Sequence, residues 1–430
     1  MKTGVLLLVS ALMLACTSSD SQPKPATTPS SDAKTTAPAP AANDVTPAPP
    51  ATPTASSKPE PDAPPAAPAQ KAGQNFADQV TVLYKLVACG DDTPPENTVS
   101  PRYFKQHCAQ LGRAIARYRK RWYERAVPAL AQIVPADVPE TLVYPFGGGD
   151  LLTALATFPN AREITTMSLE LAGDVSLPEK MTRAKLQAVL TKTRKFARFL
   201  LQVVHSKTSN MREVMRSVLP AQLVFGMVAM KINDLEPVSL RYFTLNDDGS
   251  IKYYEEADLK QALEQAKGRR AQAAVFANAE IEFRKRGTDG PLRVWRHFGA
   301  NLDDKHLAEN QALIKHLQAK GKVVAMTKAA SYLLWWKNFS TIRKYLLDNM
   351  VWMISDSTGI MPSVASAAGF EQTSYGWFEK PFLPGAGSQG SREFRKLYKS
   401  QKRRKLGYRY GYPDGSEAKH SHMIVTRKKK

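Results

Sequence analysis

The chain has 430 residues, 43% of them hydrophobic, and carries 60 Lys and Arg against 39 Asp and Glu, a net charge of +21. Most of its apolar residues fall after residue 75, which leaves about 355 residues to build a sizeable core and excludes a chain without one. No internal repeat and no second linker divides that stretch, so one elaborated domain is expected rather than an array.

Chain order begins with an export signal. Lys2 supplies a positive start, Gly4 to Ala15 an apolar run, and Met13-Leu14-Ala15-Cys16 a small-residue cleavage site ending in cysteine. A run this short cannot cross a bilayer, which takes about 20 residues. The segment resembles the lipobox of bacterial lipoproteins. That resemblance implies acylation of Cys16, anchoring in a lipid bilayer and, with Thr17 rather than Asp following, passage to the outer membrane facing the periplasm. From Thr17 to Gln74 there is no Leu, Ile, Met or aromatic residue, and 14 of the 30 prolines lie here. Such a composition cannot offset its chain entropy, so residues 17–74 are expected to form a disordered tether reaching between about 40 and 180 Å.

Residues 75–390 are expected to form the globular domain. Helices are predicted over Phe76 to Val87 and over Pro101 to about Arg125, the second capped by Ser100. Phe104, Cys108, Leu111, Ile115 and Tyr118 mark its buried face, with Arg113, Arg117, Arg119, Lys120 and Arg121 opposite as a solvated face. With Cys16 assigned to lipid, Cys89 and Cys108 remain as an even pair in an oxidising compartment. A disulfide between them would contribute roughly 3 kcal/mol.

The strongest topological signal follows. An apolar strand from Thr141, the turn Gly147-Gly148-Gly149-Asp150, a helix over Leu151 to Phe158 and a second strand from Arg162 to Glu170 form the opening of a doubly wound sheet. The unit resembles the start of Rossmann folds, including those that bind S-adenosylmethionine. That resemblance makes Gly147, Gly148 and Gly149 candidate ligand-binding residues. It departs at Leu152, which holds the third glycine position, and at Asp150, whose charge opposes a pyrophosphate. No cofactor is therefore expected.

Helices are predicted over Lys180 to Val204 and Met211 to Leu219, with a buried run over Leu223 to Ile232. Val238 to Leu245 and Ile251 to Tyr254 flank Asn246 to Gly249 as a hairpin, and Glu280 to Arg284 and Leu292 to Phe298 flank Gly287 to Gly290 as another. Val323 to Met326 is a predicted strand, Phe339 to Leu347 a helix, and Met350 to Ile354 a strand running into Ser355-Asp356-Ser357-Thr358-Gly359. The expected fold is thus an α/β, mixed, mostly parallel Rossmann-like sheet with N-terminal helices and antiparallel hairpins. Ligands bind at the carboxyl ends of parallel strands, so Asp150, Glu170 and Asp356 are the candidate catalytic residues of one crevice.

The stretches Tyr144 to Asp150, Phe158 to Asn160, Lys328 to Leu334 and Ser355 to Gly359 resemble an uncharacterised family of exported bacterial proteins, which brings no activity with it. No serine-hydrolase elbow, zinc-protease helix, Cys-x-x-Cys pair or P-loop is present, and no metal site is expected. Residues 391–430 hold 14 Lys or Arg against 3 acids. They are expected to form a basic tail, or a hairpin pairing Leu406 to Tyr412 with His422 to Thr426, with His420 and His422 exposed. Export makes nucleic acid an unsuitable partner, and an anionic envelope surface is expected instead. The function expected is a membrane-anchored envelope lipoprotein that binds a ligand or partner. An exported enzyme, such as a hydrolase using the three carboxylates, is the alternative. Geometry separates them: convergent carboxylates in a deep pocket favour the enzyme, and capped ones the binding module.

Overall fold

Period-two burial along short apolar runs builds the centre of the sheet. In β1 (Thr141–Tyr144), Leu142 and Tyr144 enter one core and Val143 the other. Strands β7 (Val323–Thr327) and β8 (Met350–Ser355) alternate likewise, Val324, Met326, Trp352 and Ile354 to the first core and Ala325 and Met353 to the second. Strands buried on both faces this way are characteristic of parallel sheets between helical layers. The structure, a computed structural model, describes residues 73–203, 219–330, 334–378, 388–411 and 421–429. The expected signal segment with Cys16, residues 17–72 of the expected tether and the helix expected from Met211 lie outside them.

The other strands are β2 (Glu163–Ser168), β3 (Leu235–Leu245), β4 (Ile251–Tyr253), β5 (Ala279–Lys285), β6 (Arg293–Gly299), β9 (Phe370–Gly376) and β10 (His422–Lys428). Among the described residues they form one ten-stranded sheet ordered β4-β3-β5-β6-β2-β1-β7-β8-β10-β9. The five middle strands β6, β2, β1, β7 and β8 run parallel. Both flanks are antiparallel, and both expected hairpins are present. Parallel pairing thus holds in the centre alone, because the C-terminal strand returns between β8 and β9 instead of extending the parallel run.

Helices Ala77–Ala88, Pro101–Tyr118, Leu151–Thr157, Arg183–Val203 and Ala221–Ile232 cover one face. Helices Asp304–Glu309, Gln311–Gln318, Ser340–Asn349 and Pro362–Ala367 cover the other. Ser100 caps its helix by accepting from the Tyr103 N–H at 3.3 Å. That helix gives way at Arg119–Tyr123 to one wider turn, which buries Trp122 and lets its indole donate to the Arg409 carbonyl at 2.6 Å. Cys89 and Cys108 are joined, with Cα atoms 5.6 Å apart.

The expected basic tail is not an appendage. Helix Ser388–Ser400 buries Phe394 and Tyr398, and the Tyr398 hydroxyl donates to the Met423 carbonyl at 2.8 Å. Strand β10 then buries His422, Met423, Ile424, Val425 and Thr426 between β8 and β9. Residues 406–411 are not strand, so the expected hairpin does not form over them, and its turn at Pro413 lies outside the described residues, as does His420.

Truncation after Ser421 therefore removes an internal strand. Three buried aliphatic side chains contribute roughly 5 kcal/mol, a large share of a domain's net stability. Loss of the cooperative thermal transition by circular dichroism is expected. A transition kept within a few degrees of the full chain's would show that β10 is dispensable.

Candidate functional site

Four parallel strands deliver four segments to one edge of the sheet: Asp150 follows β1, Glu170 follows β2, Lys328 follows β7 and Asp356 follows β8. The chain steps one way from β1 to β2 and the opposite way from β7 to β8, so the winding reverses at the β1–β7 seam. A ligand crevice belongs at such a seam. Here a buried ion pair closes it. Lys328 Nζ lies 2.8 Å from Asp150 Oδ2 and 2.5 Å from Thr153 Oγ1, with side-chain exposures of 1% for the lysine and 12% for the aspartate.

Asp150 is fully engaged. It caps helix Leu151–Thr157, its Oδ1 accepting from the Thr153 N–H at 3.3 Å and the Thr153 hydroxyl at 2.8 Å, while the Tyr144 hydroxyl donates to Oδ2 at 3.0 Å. Asp356 is buried completely. Its Oδ2 accepts from the Ala329 N–H at 2.8 Å, and its Oδ1 from the Thr358 N–H at 2.8 Å and hydroxyl at 2.5 Å. Ala329 is held at a left-handed φ of 51°, an unfavourable conformation for a residue with a Cβ, by that bond. Gly411 passes directly over Asp356, where an added Cβ would lie 2.6 Å from the aspartate Cβ.

Tyr144 and Tyr410 are buried beside both carboxylates, Tyr144 bonding Asp150 alone. Burial raises both phenols well above their ordinary range, and the negative charges of Asp150 and Asp356 raise them further. Lys328 sits 5.9 Å from the Tyr410 ring centre. Asp150 and Asp356 thus share one neighbourhood. Glu170 is at the same edge, its backbone held by His297 Nε2, 2.8 Å from the Glu170 carbonyl, and by Ser168 Oγ, which accepts from the Glu170 N–H at 3.3 Å.

The glycine turn is filled by its own neighbours. Gly148 takes φ 47°, and a Cβ at Gly147 or Gly149 would lie 2.5 Å from the Tyr144 ring or 2.8 Å from the Gln222 amide oxygen. These glycines allow close packing, and Asp150 already occupies the helix N-terminus that would face an anion. Among the described residues, no group of three or more His, Cys, Asp or Glu could hold a metal.

Two features escaped the sequence. Ser357 Oγ and His422 Nε2 are 2.9 Å apart, joining the turn after β8 to the start of β10. His422 was expected on an exposed tail and is 2% exposed, because β10 carries it into the sheet. Nothing local signals a contact between residues 65 positions apart. The second feature is a cleft of about 740 Å³ beyond β2, between the segment Leu171 to Lys180, the start of helix Ala221–Ile232 and helices Glu256–Gln265 and Arg269–Val275. No protein-family model, curated sequence or solved structure matches the chain, and the site is read from its geometry.

His297 ties the Glu170 turn to the sheet as a neutral ring. Burial lowers its pKa to about 4, as it does for His107 beside Arg194. With Nε2–H donating to the Glu170 carbonyl, Nδ1 is left to accept from Thr166 Oγ1 at 3.0 Å, which itself accepts from the Trp295 indole at 2.9 Å. A histidine pKa depressed in the folded state contributes stability that is present above about pH 6.5 and lost as pH falls to about 4. Each such group contributes on the order of 3 kcal/mol. Urea unfolding is expected to show stability declining across that window, with a shallower decline in His297→Gln. A decline of the same slope in the variant would remove His297 from the account.

Proposed function

We propose that the chain is a lipid-anchored lipoprotein of the bacterial envelope, at the outer membrane facing the periplasm, whose α/β domain binds a ligand or partner on a long tether. One observation carries the choice of binding over catalysis. Asp150 caps its helix and is paired with Lys328, and Asp356 is buried with both oxygens hydrogen-bonded, so neither is available as the free acid or base that the enzyme reading requires. The Rossmann-like character of the opening unit is part of the same proposal. Its glycine turn packs closely against Tyr144 and Gln222, which suits a scaffolding role for the unit.

The anchor rests on Met13 to Cys16, and the Cys89–Cys108 disulfide suits an oxidising compartment. Among the described residues no helix is long and apolar enough to cross a membrane, a role the anchor would take over. The partner surface lies within residues 391–430. On helix Ser388–Ser400, Arg392, Arg395, Lys396 and Lys399 recur at helical spacing and are exposed, opposite the buried Phe394 and Tyr398. A rigid cationic stripe of this kind suits an anionic envelope surface, with about 1 kcal/mol per residue at low salt.

Salt-dependent fractionation tests both contacts together. Wild-type protein is expected to stay with membranes through a high-salt wash, and Cys16→Ser to stay at low salt but leave at high salt. Neutralising the four stripe residues to Gln in the Cys16→Ser background should release it at low salt also. Cys16→Ser resisting high salt would overturn the anchor, and release unaffected by the Gln substitutions would overturn the cationic surface.

A further inference from the structure

The 740 Å³ cleft beyond β2 has the size of a small-molecule site, for which about 300–1,000 Å³ is usual. Leu177, Leu219, Pro220, Leu263 and Phe276 give it apolar walls. The wall at Pro220 and Phe276 is fixed. Gly173, at φ 91°, lies so close to Pro220 that a Cβ would come within 2.5 Å of the proline ring. Its N–H donates to the Phe276 carbonyl at 2.9 Å, and its carbonyl accepts from the Tyr242 hydroxyl at 2.6 Å. Tyr242 also accepts from the Val175 N–H at 2.8 Å, so one buried phenol clamps both sides of Asp174.

The charges around the cleft do not cancel. Asp174 is occupied by Ser176, whose N–H and hydroxyl donate to Oδ1 at 2.9 and 2.6 Å, and by Lys180, 3.0 Å from Oδ2. That pair is neutral overall. Arg269, at the first turn of helix Arg269–Val275, has no ion-pair partner among the described residues and leaves the cleft with one net positive charge. Apolar walls with one open guanidinium fit a ligand with one apolar body and one carboxylate, which arginine can hold by two parallel hydrogen bonds.

We propose that this cleft binds a single-chain amphiphile bearing a carboxylate, of the fatty-acid class, with the chain along the Leu177–Phe276 wall and the carboxylate at Arg269. The proposal rests on the binding-module reading and names the ligand for it. The test uses the full chain carrying Cys16→Ser, free of its own acyl groups, with a fluorescent long-chain fatty acid and the methyl ester of the same probe. Saturable one-to-one binding is expected, with the acid held about fivefold more tightly than the ester, the factor a partly exposed charge pair supports. Arg269→Gln should remove that preference and leave the ester's affinity unchanged. Ala273→Trp, at an exposed helix position lining the cleft, should weaken both probes at least about tenfold without altering the thermal transition. Equal binding of acid and ester by the parent chain, or Ala273→Trp without effect, would overturn the assignment of ligand and cleft. Neither result would touch the fractionation behaviour on which the anchored-module reading stands. Absence of saturable binding by either probe would likewise overturn the proposal.

Discussion

The buried ion pair between Asp150 and Lys328 holds the seam at which the sheet changes its direction of winding. β1 and β7 are neighbours in space but far apart in sequence, and their carboxyl ends are tied by this pair together with Thr153 and Tyr144. Desolvating two charges is expensive, and the pair is tolerable because other hydrogen bonds satisfy it on both sides. Its position has a chemical consequence. The place where an open α/β sheet would admit a ligand is occupied by the protein's own lysine and carboxylate.

The same edge explains how the C-terminal segment closes the fold. Tyr410 and Gly411 run across Asp356, His422 meets Ser357, and β10 then fills the gap between β8 and β9. The exposed side of β9 is covered as well. Gln401 accepts from the Ser374 N–H at 2.9 Å and donates to the Gln372 carbonyl at 2.7 Å, and the Gly376 N–H donates to the Arg404 carbonyl at 2.8 Å. These groups of the strand edge are satisfied from within the chain, which blunts the edge as a template for a foreign strand.

Much of this was legible in the sequence. Leu142 to Tyr144, Val323 to Met326 and Met350 to Ile354 are short, apolar and β-rich, and the Asn246 to Gly249 and Gly287 to Gly290 turns announce their hairpins. Asp150 as a helix cap could be read from its place before an apolar helical run, and Cys89 with Cys108 from their count. The rest depends on contacts that no local pattern encodes. Nothing around Lys328 signals a carboxylate partner until β7 is placed beside β1. His422 to Thr426 was open to reading as a strand, but its pairing with β8 and β9 was not, because only the nearby Leu406 to Tyr412 offered itself as a partner. Helix Ser388–Ser400 has its aromatic residues at Phe394 and Tyr398, a two-residue stripe easily lost among eight nearby cations. The cleft beyond β2 is assembled from four separate segments and has no sequence signature.

Asp150 is thus a structural partner of Lys328. A double-mutant cycle of Asp150→Asn and Lys328→Met, read by urea unfolding, tests this most directly. Each single substitution is expected to destabilise the domain by about 3 kcal/mol, and the double variant by clearly less than their sum, since removing both charges relieves the uncompensated burial that either leaves alone. Effects that add to within about 0.5 kcal/mol would contradict the account by showing that the two groups act independently.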